Sequence, residues 1–244
     1  MISPLAHISS NAVLGNNVKV DPFAVIHEDV RIGDGTHIMS NAVIMSGTSI
    51  GKDCLIFPGA VIGAIPQDLK FIGEKTTVEI GDNTTIRECV TINRGTQDKW
   101  KTAIGSNCLL MAYAHVAHDC ILGDNVILSN SVQLAGHVEV GDWAIIGGMA
   151  GAPQFSRIGA HSYVFGHTVI NKDVPPFMKA GRTPISYACV NSVGLQRRGF
   201  SSESINAILE VYRNLYNKGY NTSQALEIIE KELPDCKERN LILT

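Results

Sequence analysis

The segment Ile104-Gly105-Ser106-Asn107-Cys108-Leu109-Leu110-Met111-Ala112-Tyr113-Ala114-His115-Val116-Ala117-His118-Asp119-Cys120-Ile121-Leu122 decides how the chain folds. It carries an aliphatic residue at every sixth position: Ile104, Leu110, Val116 and Leu122. Followed outward, the same phase runs from Ile2 through Ile8, Leu14, Val20, Ile26, Ile32, Ile38, Ile44, Ile50 and Ile56 to Ile62. It resumes at Ile80, Ile86 and Ile92, then continues from Leu128 to Ile170, with Ala152 its one weak position. A period of six matches neither the 3.6-residue helix nor a long alternating strand. It fits a prism in which each hexad supplies one flat strand and one turn, three hexads close a coil of about 18 residues, and coils pair as parallel strands about 4.8 Å apart. An ordinary β-sandwich has no need of such regular spacing. Gly15, Gly33, Gly51, Gly105, Gly123 and Gly141, with Asp34-Gly35, Asp82-Asn83 and Asp124-Asn125, supply the corners.

Two interruptions read as outward loops, near 63–79 around Gln67-Asp68-Leu69-Lys70 and near 93–103 around Arg94-Gly95 and Trp100. The repeat is expected to end near Asp173 to Phe177, where Pro175 and Pro176 remove two backbone donors. Beyond it, Ile205, Ile208, Leu209, Tyr212, Leu215 and Tyr216 mark a helix face that Ser201 can cap and Gly219 can stop. Ala225, Leu226, Ile229 and Leu233 mark a second helix, ending before Pro234. The expected organisation is an all-β parallel prism over residues 1–178, followed by a connector and small C-terminal α-helical domain over 179–244.

Composition narrows the function. The chain has 244 residues, 45% hydrophobic and 18% charged, with a formal charge of -3. That balance gives no support for a nucleic-acid protein, which needs a basic face. The chain opens without a signal segment, and no run of 18 apolar residues could span a bilayer, so the cytoplasm is the expected compartment and no transmembrane segment is expected. The six cysteines lack the close pairs of a zinc or redox motif and read as reduced, largely buried side chains.

The chemistry concentrates at His115-Val116-Ala117-His118-Asp119. With Val116 inward, His118 and Asp119 fall on the next corner, and 18-residue stacking sets Gly136 beside His118 and His137 beside Asp119. A neutral imidazole accepts a proton near neutral pH, and Asp119 would favour the accepting orientation and the imidazolium formed. On spacing alone these histidines also fit corner residues with local hydrogen bonds. No metal site is expected, because the neighbouring aliphatics offer no further ligands.

Five segments together resemble the UDP-N-acetylglucosamine acyltransferase family, whose members open lipid A biosynthesis. They are Gln67-Asp68-Leu69-Lys70, Thr91-Ile92-Asn93-Arg94-Gly95, His115-Val116-Ala117-His118-Asp119-Cys120, Leu134-Ala135-Gly136-His137 and Gly194-Leu195-Gln196-Arg197-Arg198-Gly199-Phe200. The resemblance implies a left-handed parallel β-helix, an exception to the usual right-handed crossover, and a homotrimer with active sites between subunits. It implies that His118 takes a proton from the glucosamine 3-hydroxyl of UDP-N-acetylglucosamine, which attacks the thioester of a long-chain (R)-3-hydroxyacyl group on acyl carrier protein. Asp119 would support His118, and the Gly136 amide would stabilise the oxyanion. No cofactor is implied; the carrier protein, with its phosphopantetheine-linked acyl chain, is a substrate. The resemblance further sets Asp68, Lys70, His115, His137 and Gln154 around the sugar or acyl group. Asn191, Arg197 and Arg198 fall at the uridine and phosphate end, and Gly166 at the far end of the acyl groove. Three positions depart from the family pattern: Pro153 and Pro184 replace histidines, and Val193 replaces an acidic residue. The alternatives are the later N-acyltransferase of the same pathway, a sugar O-acetyltransferase using acetyl-CoA, and a nonenzymatic trimeric binding scaffold.

Overall fold

The structure, a computed structural model, describes residues 1–243. From His7–Ile8 to Tyr163–Val164 the chain is a succession of short strands, most of two residues, each paired in parallel with the third strand before and after it. Three sheets result, two of eight strands and one of ten, forming the faces of a prism. His7–Ile8, His115–Val116 and Gln133–Leu134 lie on the first face; Val13–Leu14, Ile121–Leu122 and Glu139–Val140 on the second; Lys19–Val20, Ile127–Leu128 and Tyr163–Val164 on the third.

The sixth-position aliphatics stack inside. Ile26 pairs with Ile44, Ile44 with Ile62, Ile62 with Ile92, Ile92 with Val116 and Val116 with Leu134, and all six are fully buried. Burying one such side chain stabilises by about 1.5–3 kcal/mol, while a two-residue strand alone has no stability of its own. The column of contacts therefore holds the coils in register.

Corners repeat as faithfully as strands. Between the second and third faces the Asp34, Asp124 and Asp142 carboxylates accept from the backbone of the preceding coil, at 2.7 Å from Asn16, 2.7 Å from Ser106 and 2.8 Å from Asp124. Asn17, Asn83, Asn107 and Asn125 occupy the left-handed region at φ 57, 55, 57 and 58°, where asparagine is tolerated.

Both interruptions leave from the edge between the first and second faces, in successive coils. The first joins Val61–Ala64 to Thr77–Ile80 and the second joins Thr91–Asn93 to Lys101–Ile104. Their free parts, 65–76 and 94–100, are shorter than the expected 63–79 and 93–103. The flanking residues continue the ladders instead, with Ala64 opposite Asn93 and Thr77 opposite Lys101.

The third face also runs past residue 178. Met178–Gly181 pairs in parallel with Tyr163–Val164 and antiparallel with Ser186–Val190, so a hairpin closes this face beyond the two prolines. Four helices follow: α1 (Ser192–Arg197), α2 (Ser202–Tyr216), α3 (Thr222–Glu232) and α4 (Lys237–Leu243). Ser201 caps α2 by accepting from Ser204 N, and Asn221 with Gln224 forms a capping box on α3. Helix α2 packs on Ser186–Val190, and the buried Tyr212 hydroxyl donates to Pro176 O. Among the described residues no helix is long and apolar enough to cross a membrane.

Truncating the fully buried Leu110 to alanine should cost about 2–5 kcal/mol of unfolding free energy in urea titration. A loss below about 1 kcal/mol would contradict a close-packed column.

Candidate active site

The edge that releases both loops also carries the chemistry. His118 and Asp119 turn the chain from His115–Val116 to Ile121–Leu122, Gly136 and His137 turn the next coil, and Gln154 and Phe155 the one after. Asp119, His137 and Phe155 occupy equivalent left-handed positions at φ 59, 63 and 65°. Their side chains consequently project from the edge one above another. His137 N donates to His118 O at 3.0 Å, the His137 and Phe155 rings stack at 4.5 Å, and His118 meets His137 edge-on at 5.0 Å.

Nδ1 of His118 lies 2.9 Å from Oδ2 of Asp119. An ionised carboxylate only accepts, so Nδ1 carries the proton and the Nε2 lone pair is left for another partner. The Asp119 carboxylate is fully buried yet well supplied with donors. Thr96 N reaches Oδ1 and Oδ2 at 3.0 and 3.1 Å, Thr96 Oγ1 donates to Oδ2 at 2.6 Å, and Lys99 N donates to Oδ1 at 3.2 Å. Burial pushes the carboxyl pKa up; the hydrogen bonds from Thr96, His118 and Lys99 outweigh it and bring the net shift below the ordinary value.

His118 itself is only 4% exposed. Its Nε2 faces Asp68 Oδ2 at 4.0 Å, so the 65–76 loop covers the imidazole. Gly136 leaves the room beside it, since a Cβ there would fall 2.5 Å from His118 Cε1 and 2.6 Å from Nε2. Asp98 Oδ2 stands 3.2 Å from His137 Nδ1 without hydrogen-bond geometry, and Lys99 Nζ pairs with Glu139 at 2.7 Å.

His115 sits on the first face beside this edge, where its Nδ1 is 2.7 Å from Thr91 Oγ1. Burial and the nearby His118 lower its pKa. Lys70 and Gln154 are exposed near the same edge. Pro153 presents only its carbonyl, which accepts from Ser156 Oγ at 2.8 Å.

The remaining expected residues lie elsewhere. Gly166 is on the edge between the third and first faces, where a Cβ would come 3.0 Å from Gly148 O. Asn191 is buried, with Nδ2 donating to His161 O at 3.0 Å, and Arg197 is exposed at the end of α1. Arg198 lies 5.2 Å over the Trp143 ring with Nη1 3.3 Å from His161 Nδ1. This group belongs to the edge between the second and third faces, so the expected site residues occupy three edges and do not converge within one chain.

The sequence reading missed Thr96, Asp98, Lys99 and Phe155. A signal existed for the loop: Thr91 pairs with His115 and Ile92 with Val116 across 24 residues, and continuing that offset brings Gly95 opposite Asp119. His118, Asp119 and His137 offer ligand atoms within 4.8 Å of one another. Both Asp119 oxygens, however, already accept from Thr96, Lys99 and His118, so a cation would have to displace these donors.

Residues 173–244 match the family described as UDP-N-acetylglucosamine O-acyltransferase, domain 2, and 11–45, 29–64 and 101–136 match the bacterial transferase hexapeptide model. An acyl-[acyl-carrier-protein]–UDP-N-acetylglucosamine O-acyltransferase of Janthinobacterium sp. (strain Marseille) is 45% identical over 242 residues, 98% of this chain and 92% of the relative. The crystal structure of a UDP-N-acetylglucosamine acyltransferase from Bacteroides fragilis superposes with a TM-score of 0.98 at 50% identity, covering 100% of this chain and 95% of that one. One from Acinetobacter baumannii gives 0.95 at 40% identity, over 99% and 95%. The prism is accordingly a left-handed parallel β-helix with a small C-terminal helical part.

Two measurements check this geometry. Gly136→Ala should leave the fold intact but displace the His118 ring, shifting its imidazole resonances in a ¹H–¹⁵N spectrum; unchanged resonances would contradict the contact. Burial, then the Arg198 charge, lowers the His161 pKa to about 4. Between pH 6.5 and about 4 the unfolded chain binds a proton that the folded chain refuses, so this residue should make stability fall as pH drops through that window. His161→Gln should remove that component from the pH dependence of unfolding.

Proposed function

The chain belongs to the acyl-[acyl-carrier-protein]–UDP-N-acetylglucosamine O-acyltransferase family, and from that premise we propose that its edge dyad performs O-acylation of the nucleotide sugar with His118 as general base. The chain transfers an acyl group from acyl carrier protein to UDP-N-acetylglucosamine, the opening step of lipid A biosynthesis. The observation carrying the mechanism is the His118 Nδ1 to Asp119 Oδ2 hydrogen bond at 2.9 Å, which leaves Nε2 as the proton acceptor.

In the proposed reaction the glucosamine 3-hydroxyl occupies the space beside Nε2 that Asp68 now faces. Nε2 takes its proton as the oxygen attacks the thioester carbonyl of a long-chain (R)-3-hydroxyacyl group. The imidazolium is stabilised by Asp119. Gly136 N–H, which has no acceptor among the described residues, receives the developing oxyanion, an interaction whose loss can cost about 3 kcal/mol. Collapse breaks the carbon–sulfur bond and returns the proton from Nε2 to the departing carrier-protein thiol. No acyl-enzyme and no cofactor enter the sequence.

Binding is assigned to Asp68, Lys70, His115, His137 and Gln154 near the reacting groups, Gly166 at the end of the acyl groove, and Asn191, Arg197 and Arg198 at the uridine and phosphate end. Arginine offers fixed donors suited to phosphate. Since these residues lie on three edges of one prism, a homotrimer that brings edges of neighbouring subunits together is the proposed working form. The cytoplasm, source of carrier-protein thioesters, is the proposed compartment. Pro153 and Val193 leave the sugar and nucleotide with fewer polar contacts than the family pattern supplies.

Mass spectrometry of the products from UDP-N-acetylglucosamine and a mixture of hydroxyacyl-acyl carrier proteins should reveal a singly acylated nucleotide sugar. His118→Ala should lower turnover by about 10²–10⁴. Acylation by the folded protein with acetyl-CoA but not carrier protein, or undiminished turnover in His118→Ala, would overturn the proposal.

A further inference from the structure

We propose that Thr96 is a positioning residue whose hydroxyl holds the Asp119 carboxylate in the orientation that keeps His118 Nδ1 a donor and Nε2 an acceptor. This inference rests on the general-base role proposed for His118.

The hydroxyl is aimed by its surroundings. Thr96 is only 8% exposed, and Asp98 N donates to its Oγ1 at 3.3 Å, which leaves the Thr96 proton for Asp119 Oδ2 at 2.6 Å. Oδ2 is therefore shared between Thr96 Oγ1 and His118 Nδ1, while Oδ1 takes Thr96 N and Lys99 N. Rotating the carboxylate would break several of these contacts at once. The backbone of Asp119 is fixed independently, because its N–H donates to the buried Thr102 Oγ1 at 2.9 Å.

The loop is itself moored on both sides. Thr76 Oγ1 donates to Gly95 O at 2.6 Å, Arg94 N to Ala64 O at 2.9 Å, and Lys99 Nζ to Glu139 at 2.7 Å. Closing the coil needs none of this at Asp119: the equivalent turns at His137 and Phe155 are made without an inserted loop. The excursion at 94–100 supplies a dry acceptor with donors that a plain corner does not contain.

The charged and titratable groups around Asp119 are His118, His137 with Nε2 at 3.9 Å, Lys99 and Cys120. Behind them stand Asp68 against His118, Asp98 against His137 and Glu139 against Lys99. Removing the Thr96 hydroxyl deletes a hydrogen bond to the charged form of Asp119, which raises that carboxyl's pKa and lets the dyad take up its proton at higher pH. The acid limb of the rate profile therefore moves upward.

Full-length Thr96→Val and Thr96→Ser are assayed for kcat and KM with UDP-N-acetylglucosamine and hydroxyacyl-acyl carrier protein across pH. Thr96→Val should lower kcat about tenfold, the worth of one hydrogen bond to a charged group, with KM unchanged and the acid limb moved up; Thr96→Ser should restore both. Thr96→Ala gives a second removal of the hydroxyl with less steric demand. The low-field ¹H resonance of His118 Nδ1–H, which needs no substrate, should persist in wild type and Thr96→Ser and be lost or moved upfield in Thr96→Val and Thr96→Ala. That spectrum separates failure of this inference from failure of the acyl-transfer reading. A resonance and acid limb unchanged in Thr96→Val, or an equal loss in Thr96→Ser, would overturn the role.

Discussion

Everything in this molecule depends on one constraint: a strand of two residues is held only by the coil before it and the coil after it. Each coil must therefore superimpose on its neighbours, and its inward aliphatic must meet the next. Such a scaffold contains little freedom for side chains to wander along the axis, since the strand spacing of about 4.8 Å fixes the distance between equivalent corners. A corner residue thus has two known neighbours, and a functional group is placed by its coil number and corner position. The edge bearing His118 is built in this way, with Asp119, His137 and Phe155 stacked at successive corners.

The same geometry has a local cost. The third corner position is left-handed, which disfavours an L-residue by roughly 1–2 kcal/mol. Asparagine relieves it at Asn83, Asn107 and Asn125, but Trp143, His161 and Phe177 occupy it near the C-terminal end. Those rings stack, His161 on Phe177 at 5.5 Å and Trp143 on His161 at 6.4 Å. Aromatic contacts of this kind recover about 0.5–1.5 kcal/mol beyond their buried area. At the second-to-third edge under Arg198 these rings form one stack, as His137 and Phe155 do at the first-to-second edge beside His118.

Much of this was legible in the sequence because the repeat makes register a matter of counting. The inward column followed from the phase Ile26, Ile44, Ile62, and the approach of Gly136 to His118 followed from an 18-residue step. The limits of that counting are equally physical. Hexads say where a loop begins but not where it goes, so Thr96 and Lys99 escaped notice although they hold Asp119 in place. Burial escaped too: the corner placement of His118 gave no sign that Asp68 would face its Nε2 from a loop whose path no periodicity encodes. Beyond the prism, the helix faces around Tyr212 and Ile229 were visible in their spacing. The hairpin Met178–Gly181 with Ser186–Val190 was not, because Pro175 and Pro176 looked like the end of the ladder.

The three edges also differ in what they ask of a side chain. Around His118 the essential property is direction: a buried carboxylate, a shared oxygen and a glycine that makes room all serve to aim one nitrogen. Around Arg198 the essential property is charge presented on an aromatic floor, with Asn191 tying the connector to His161. At Gly166 it is the lack of a side chain, since a Cβ would come 3.0 Å from Gly148 O. The prism separates these demands by setting them on different edges of one packed aliphatic interior. What the prism cannot do is bring its own edges together: within one chain the His118 imidazole, the Arg198 guanidinium and Gly166 stay on three separate edges, each fixed by the strands on either side of it.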